Sequence, residues 1–229
     1  MTDPTEGAAP FGDSDDGSPR YPLRQPALLA IALACLLPEL ILSGADLGLW
    51  GSTRWRGTVL QYAGFWSGLL GNWQPNYPFQ PAAMFATYGF LHAGFSHFLI
   101  NMITLFSIGD PVIARIGTTR FLWLYLICLA GGAMGFALFS NEIAPMVGAS
   151  GALFGLAGAL LAWEFTARRR NRQRLTPVYR SLLLLAVLNL ILWWAMKGHL
   201  AWETHLGGFL AGWVFALLAH RQNSRQSTG

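Results

Sequence analysis

Six stretches of this chain, at about 26–48, 84–108, 119–140, 148–167, 180–197 and 200–220, are built from Leu, Ile, Val, Phe, Ala and Gly with few charges. A helix needs about 20 residues to cross the hydrocarbon core, where every backbone polar group must be satisfied within its own segment. Runs of this length therefore restrict the chain to membrane-spanning helices, the last two being only just long enough. Composition agrees: 53% of residues are hydrophobic and 11% charged, whereas a soluble domain carries roughly a quarter charged residues. The expected fold is an all-α membrane protein, a six-transmembrane-helix bundle over residues 26–220. Pro38 and Glu39 fall near the middle of the first run, and a carboxylate at that depth is expected to face the bundle or water.

The connection between the first two runs holds Trp50, Trp55, Phe65, Trp66, Trp73, Phe79 and several Gly and Pro. An unstructured loop of this length is improbable in a compact protein, and its aromatic content suits the headgroup region. The reading is a half-embedded loop between helices 1 and 2 with a short amphipathic helix near 58–70. Residues 1–25, rich in Asp, Gly, Pro and Ser, contain no apolar core of a signal peptide and are too acidic for a mitochondrial presequence. They read as a disordered tail, and 221–229 as a short C-terminal tail. Cys35 and Cys128 each sit inside an apolar run, as small buried hydrophobes rather than a disulfide or metal pair.

Charge sets the orientation. With an even number of spans both termini share one side, which collects Arg20, Arg24, Arg115, Arg120, Arg168, Arg169, Arg170, Arg172, Arg174, Arg180, Arg221 and Arg225. The other side receives Arg54, Arg56 and Lys197, so both termini are expected in the cytoplasm, at a bacterial inner membrane. The net charge of +4 follows from this asymmetry and calls for no nucleic-acid partner.

The fourth run opens with Gly148-Ala149-Ser150-Gly151-Ala152-Leu153-Phe154-Gly155. A hydroxyl flanked by glycines at a helix N-terminus lies beside free N–H groups and the positive dipole end, where an anion is stabilised. Taken alone, Gly151 and Gly155 at four-residue spacing mean helix packing. The sixth run supplies a partner feature: His205, Gly208 and Gly212 share one helix face, whose glycines permit close approach. In the orientation above Ser150 and His205 lie at similar shallow depths below the outer face, so the two faces can bring them within hydrogen-bond reach. His97 and Asn101, one turn apart in the second run, suit an oxyanion hole, with interhelical hydrogen bonding as the alternative. His92 and His97, five apart, would point about 140° apart on a helix, and no His-Glu-x-x-His occurs, so neither metal nor cofactor is expected.

With these motifs the chain resembles the rhomboid family of intramembrane serine proteases, in Gly148-Ala149-Ser150-Gly151, in His205-Leu206-Gly207-Gly208 with Gly212, and in His97 and Asn101 after His92. The resemblance implies a Ser150–His205 dyad, with His97, Asn101 and the Ser150 N–H receiving the oxyanion and Gly148 supporting that loop. It departs in three places. Phe154 stands where many members have a Tyr packed on the imidazole, Thr204 where many have Ala, and Gln80-Pro81-Ala82-Ala83-Met84 where some carry Trp-Arg. Trp55-Arg56 lies earlier and is not equated with that pair.

The chemistry implied is acyl transfer: neutral His205 takes the Ser150 proton as the hydroxyl attacks a peptide carbonyl, and the imidazolium then protonates the leaving amine. Glu203 is about 200° from His205 around the helix and should face away. Asp46, Asp110 and Glu164 have no spacing in their favour, and the segment 196–202, with an exposed His199, is expected to cap the site. The implied partners are the lipid bilayer and single-span membrane-protein substrates with helix-weakening residues near the outer face, cleaved by a monomer. A catalytically inactive rhomboid-like binder is the alternative. A small-molecule transporter would more often show paired broken helices or internal repeats, and neither occurs.

Overall fold

A computed structural model describes the backbone from Pro26 to Gln226 and side chains as far as Ala219. The expected N-terminal tail at 1–25 lies outside the described residues, as do 227–229. Among the described residues the chain forms eight α-helices: α1 (Pro26–Asp46), α2 (Trp55–Ala63), α3 (Gln80–Thr87), α4 (Phe95–Ile116), α5 (Thr118–Phe139), α6 (Ser150–Arg170), α7 (Thr176–Ala195) and α8 (Trp202–Gln226). Five of them, α1, α4, α5, α6 and α7, are long and apolar enough to cross a membrane. In α8, Glu203, Thr204 and His205 at the start and the polar run over 220–226 at the end lower the average of a helix whose middle is apolar. That helix continues six residues beyond the expected end at 220 and takes in most of the expected C-terminal tail.

The second run differs most from expectation. The sequence suggests one helix over 84–108, but α3 ends at Thr87, a 3-10 turn covers Tyr88–Phe90, and α4 begins only at Phe95. At its other end α4 passes through Asp110-Pro111 to Ile116 and stops at Gly117, whose φ of +77° disfavours a side chain. A proline removes one intrahelical bond without forcing an end when the surrounding turns are packed, and Val112 and Ile113 just beyond it are buried. The long connection is ordered by α2 and by a separate 3-10 turn at Ser67–Leu70; the single helix expected near 58–70 is interrupted at Gly64–Trp66, where the backbone is extended at both Gly64 and Trp66. Trp66 Nε1 donates to Leu60 O at 3.0 Å, and Trp66 and Trp73 pack with centroids 5.9 Å apart.

Helices α5, α6 and α8 form the tightest part of the bundle, and glycine is the reason. A Cβ built at Gly208 would lie 2.7 Å from the carbonyl carbon of Gly151, and one at Gly212 2.6 Å from that of Gly155. Such seams replace side-chain volume with backbone contact, the common way for helices to associate where lipid is as apolar as leucine. By contrast α7 is peripheral, and Val178 is its one buried residue.

Glu39 does face the interior. It is 1% exposed, accepts from Ser43 Oγ at 2.7 Å, and is clasped by Arg56 Nη1 and Nη2, each at 3.0 Å. Arg56 also reaches Asp46 Oδ2 at 2.6 Å and the His92 carbonyl at 2.8 Å. One arginine on α2 thereby ties α1 to the turn that precedes α4. A second tie joins the long loop to the segment that leads into α6: Phe65 and Met146 exchange both backbone N–H···O bonds, each 2.9 Å.

Candidate active site

Ser150 is the first residue of α6, and its placement starts two residues earlier. Gly148 has φ +121°, in a region L side chains rarely adopt, and its N–H donates to Tyr88 O at 2.9 Å. Tyr88 is fully buried and is itself fixed by its hydroxyl, which donates to Leu129 O at 2.7 Å. The chain is thus turned sharply on a rigid support before it enters α6. The hydroxyl of Ser150 is half-buried at the helix end, beside N–H groups that lack intrahelical partners.

His205 arrives from the first turn of α8 and is 5% exposed. Its Nε2 lies 2.9 Å from Ser150 Oγ. Phe154, one turn along α6 from Ser150, stacks on the imidazole with centroids 4.1 Å apart and planes 4° from parallel. The glycine seam makes this pairing possible: Gly151 follows Ser150, Gly208 follows His205 by one turn, and Thr204 places its γ-methyl against Gly132 and Gly151.

His97 and Asn101 project from α4 toward Gly148. A Cβ at Gly148 would stand 2.7 Å from His97 Cε1 and 3.5 Å from Asn101 Nδ2. The Asn101 carboxamide is buried, and its Nδ2 has no protein partner. Ala93 N–H points at His97 Nδ1 from 3.5 Å; that direction leaves Nε2 as the nitrogen bearing the proton on the Gly148 side. Two N–H donors therefore face the turn that presents Ser150.

The separation expected for His92 and His97 does not hold. His92 precedes α4 rather than lying on it, so helix angles do not apply, and the two rings meet edge to face at 5.1 Å. Glu203 is buried and makes no hydrogen bond to His205. His199 is exposed in the segment between α7 and α8. Asp46 and Glu164 are engaged by Arg56 and Arg168.

Two residues were not singled out from the sequence. Asn189 of α7 places Oδ1 2.6 Å from His205 Nδ1, and Arg56 anchors the loop beside His92. Each had a signal: Asn189 interrupts an aliphatic run, and a carboxylate at Glu39 requires a cation.

A rhomboid domain model matches residues 80–222. The chain is 38% identical over 135 residues to RHOMBOID-like protein 5 of Arabidopsis thaliana, covering 58% of this chain and 43% of that protein. It is 32% identical over 126 residues to the rhomboid protease GluP of Bacillus subtilis, covering 55% and 24%. The putative rhomboid protease YdcA of the same organism is 29% identical over 136 residues, covering 59% and 66%. The chain belongs to the rhomboid family, and it is an integral, multi-pass membrane protein. It spans less than half the length of the first two of these relatives.

Proposed function

We propose that this protein is an active intramembrane serine endopeptidase that cuts membrane-spanning helices near the outer face through Ser150 and His205. The observation that carries the reading is the 2.9 Å approach of His205 Nε2 to Ser150 Oγ, in a site where Phe154 holds the imidazole plane. In this reading His205 accepts the hydroxyl proton as Oγ bonds to the carbonyl carbon. His97, Asn101 and the Ser150 N–H donate to the oxygen that becomes negative, and the imidazolium protonates the amine as the C–N bond breaks. Water then repeats the sequence on the acyl-enzyme. Gly148 keeps the donors and the nucleophile in register, while Gly151, Gly155, Gly208 and Gly212 hold α6 against α8.

The same reading takes α8 as a sixth span, the segment from 47 to 79 as a half-embedded loop, and residues 26–220 as one domain. Both termini then face the cytoplasm of a bacterial inner membrane, because twelve of the fifteen Lys and Arg residues fall on that side. The substrates are single-span membrane proteins, met in the bilayer by a monomer that needs no cofactor and no nucleic acid.

A fluorophosphonate probe tests the proposal on the purified full chain. Wild type should be labelled and Ser150→Ala should not, with both melting at similar temperatures, since one small residue replaces another at a helix start. Failure of folded wild type to label would favour the inactive binder.

A further inference from the structure

Asn189 has no part in the dyad described above, yet it makes the shortest polar contact in the site. Between Ser181 and Trp193 it is the one residue of α7 with a hydrogen-bonding side chain. A carboxamide in such a run is costly in hydrocarbon unless it is bonded. Its bond goes to the catalytic imidazole, with Oδ1 2.6 Å from His205 Nδ1.

A carboxamide oxygen only accepts, so Nδ1 carries the proton and Nε2 presents its lone pair to Ser150 Oγ. In the other tautomer Nε2–H would donate to Oγ and could not take its proton. We propose that Asn189 is a positioning residue, whose Oδ1 holds the Nδ1 proton and keeps His205 in the one tautomer able to act as base toward Ser150. The inference rests on the protease reading of Ser150 and His205. Through the reaction Asn189 stays neutral and neither gains nor loses a proton. The proton moves from Oγ to Nε2 as the Oγ–C bond forms, and from Nε2 to the leaving nitrogen as the C–N bond breaks, while Nδ1–H remains on Oδ1 throughout. Phe154 fixes the plane of the ring, and Asn189 fixes which way round its protons sit; neither constraint substitutes for the other.

The test uses the full chain in detergent micelles, a fluorophosphonate probe, and two variants. Asn189→Leu keeps the volume and removes the acceptor, whereas Asn189→Asp keeps an acceptor at the same place. Leu should lower the limiting labelling rate on the order of 10- to 100-fold, a fraction of what a general base supplies. The probe concentration for half-maximal rate should stay within about twofold, because Asn189 acts through His205 and not on the probe. Asp should restore most of the rate. Wild-type labelling rate in Asn189→Leu, or equal losses in Leu and Asp, would overturn the proposal. Labelling of wild type but not of Ser150→Ala in the same experiment keeps such a failure distinct from failure of the protease reading. Absence of labelling in folded wild type would overturn both.

Discussion

Gly208→Ala adds one methyl group in the seam that holds Ser150 beside His205. The new carbon would stand 2.7 Å from the carbonyl carbon of Gly151 and nearer still to its oxygen. Carbon atoms pack at about 3.5–4.0 Å, so α8 must retreat from α6 by about 1 Å, because the methyl is fixed directly to one backbone and the carbonyl belongs to the other, so neither can rotate away. Ser150 adjoins Gly151 and His205 lies one turn before Gly208, so the same retreat stretches their 2.9 Å contact toward roughly 4 Å, outside hydrogen-bond range. Misplacement on this scale costs on the order of 100-fold in rate, and overpacking costs about 1–3 kcal/mol in stability. Fluorophosphonate labelling rates and thermal melting in detergent read the two effects separately. Leu206→Ala, on the same turn but pointing outward at 40% exposure, should change neither by much. Labelling within about threefold of wild type by a Gly208→Ala protein with an unshifted melt would refute the claim that this seam sets catalytic geometry.

Three further outcomes follow from the structure. Asn101→Ala should slow cleavage of a model single-span substrate on the order of 10- to 1,000-fold. Its melting temperature should not fall, because Nδ2 has no protein partner to lose, and a clear drop in melting temperature would mark a structural role instead. Arg56→Ala leaves the Glu39 carboxylate buried without its cation and should cost about 3 kcal/mol in thermal stability, while Glu39→Leu added to it should recover part of that loss. Cysteine at Asn171, within the arginine-rich turn after α6, should react with an impermeant thiol reagent only in opened membranes; reaction in intact cells would reverse the orientation.

Much of the site could be read from the chain because its parts are polar residues beside glycines at the ends of apolar runs. Ser150 and His205 stand out for that reason, and the shared face of His205, Gly208 and Gly212 points to the neighbour it meets. Asn189 was hidden by the opposite circumstance. It has no glycine beside it and no periodic partner, and its contact joins residues 16 apart across two helices, which no pattern on one helix face can report. Arg56 read as a charge marking one side of the membrane, although the mid-span Glu39 already required a cation. The apolar run ends at 108, ahead of Asp110-Pro111, yet α4 continues to Ile116 because Val112 and Ile113 beyond the proline are buried. The break at 88–94 depends on how Tyr88 supports Gly148, a contact between segments far apart in sequence.

The pair of backbone bonds between Phe65 and Met146 joins the segment ahead of Ser150 to the long connection after α1. The ladder is only two bonds long, but Phe65 is fully buried and packs edge to face on Phe85, Tyr88 and Phe136, so the stitch cannot open without drawing a ring out of the core. The Gly148 turn therefore keeps its outer brace for as long as that ring stays packed against α5. Loss of probe labelling and loss of helical signal should then coincide on warming, and labelling that disappears while the helices persist would refute this.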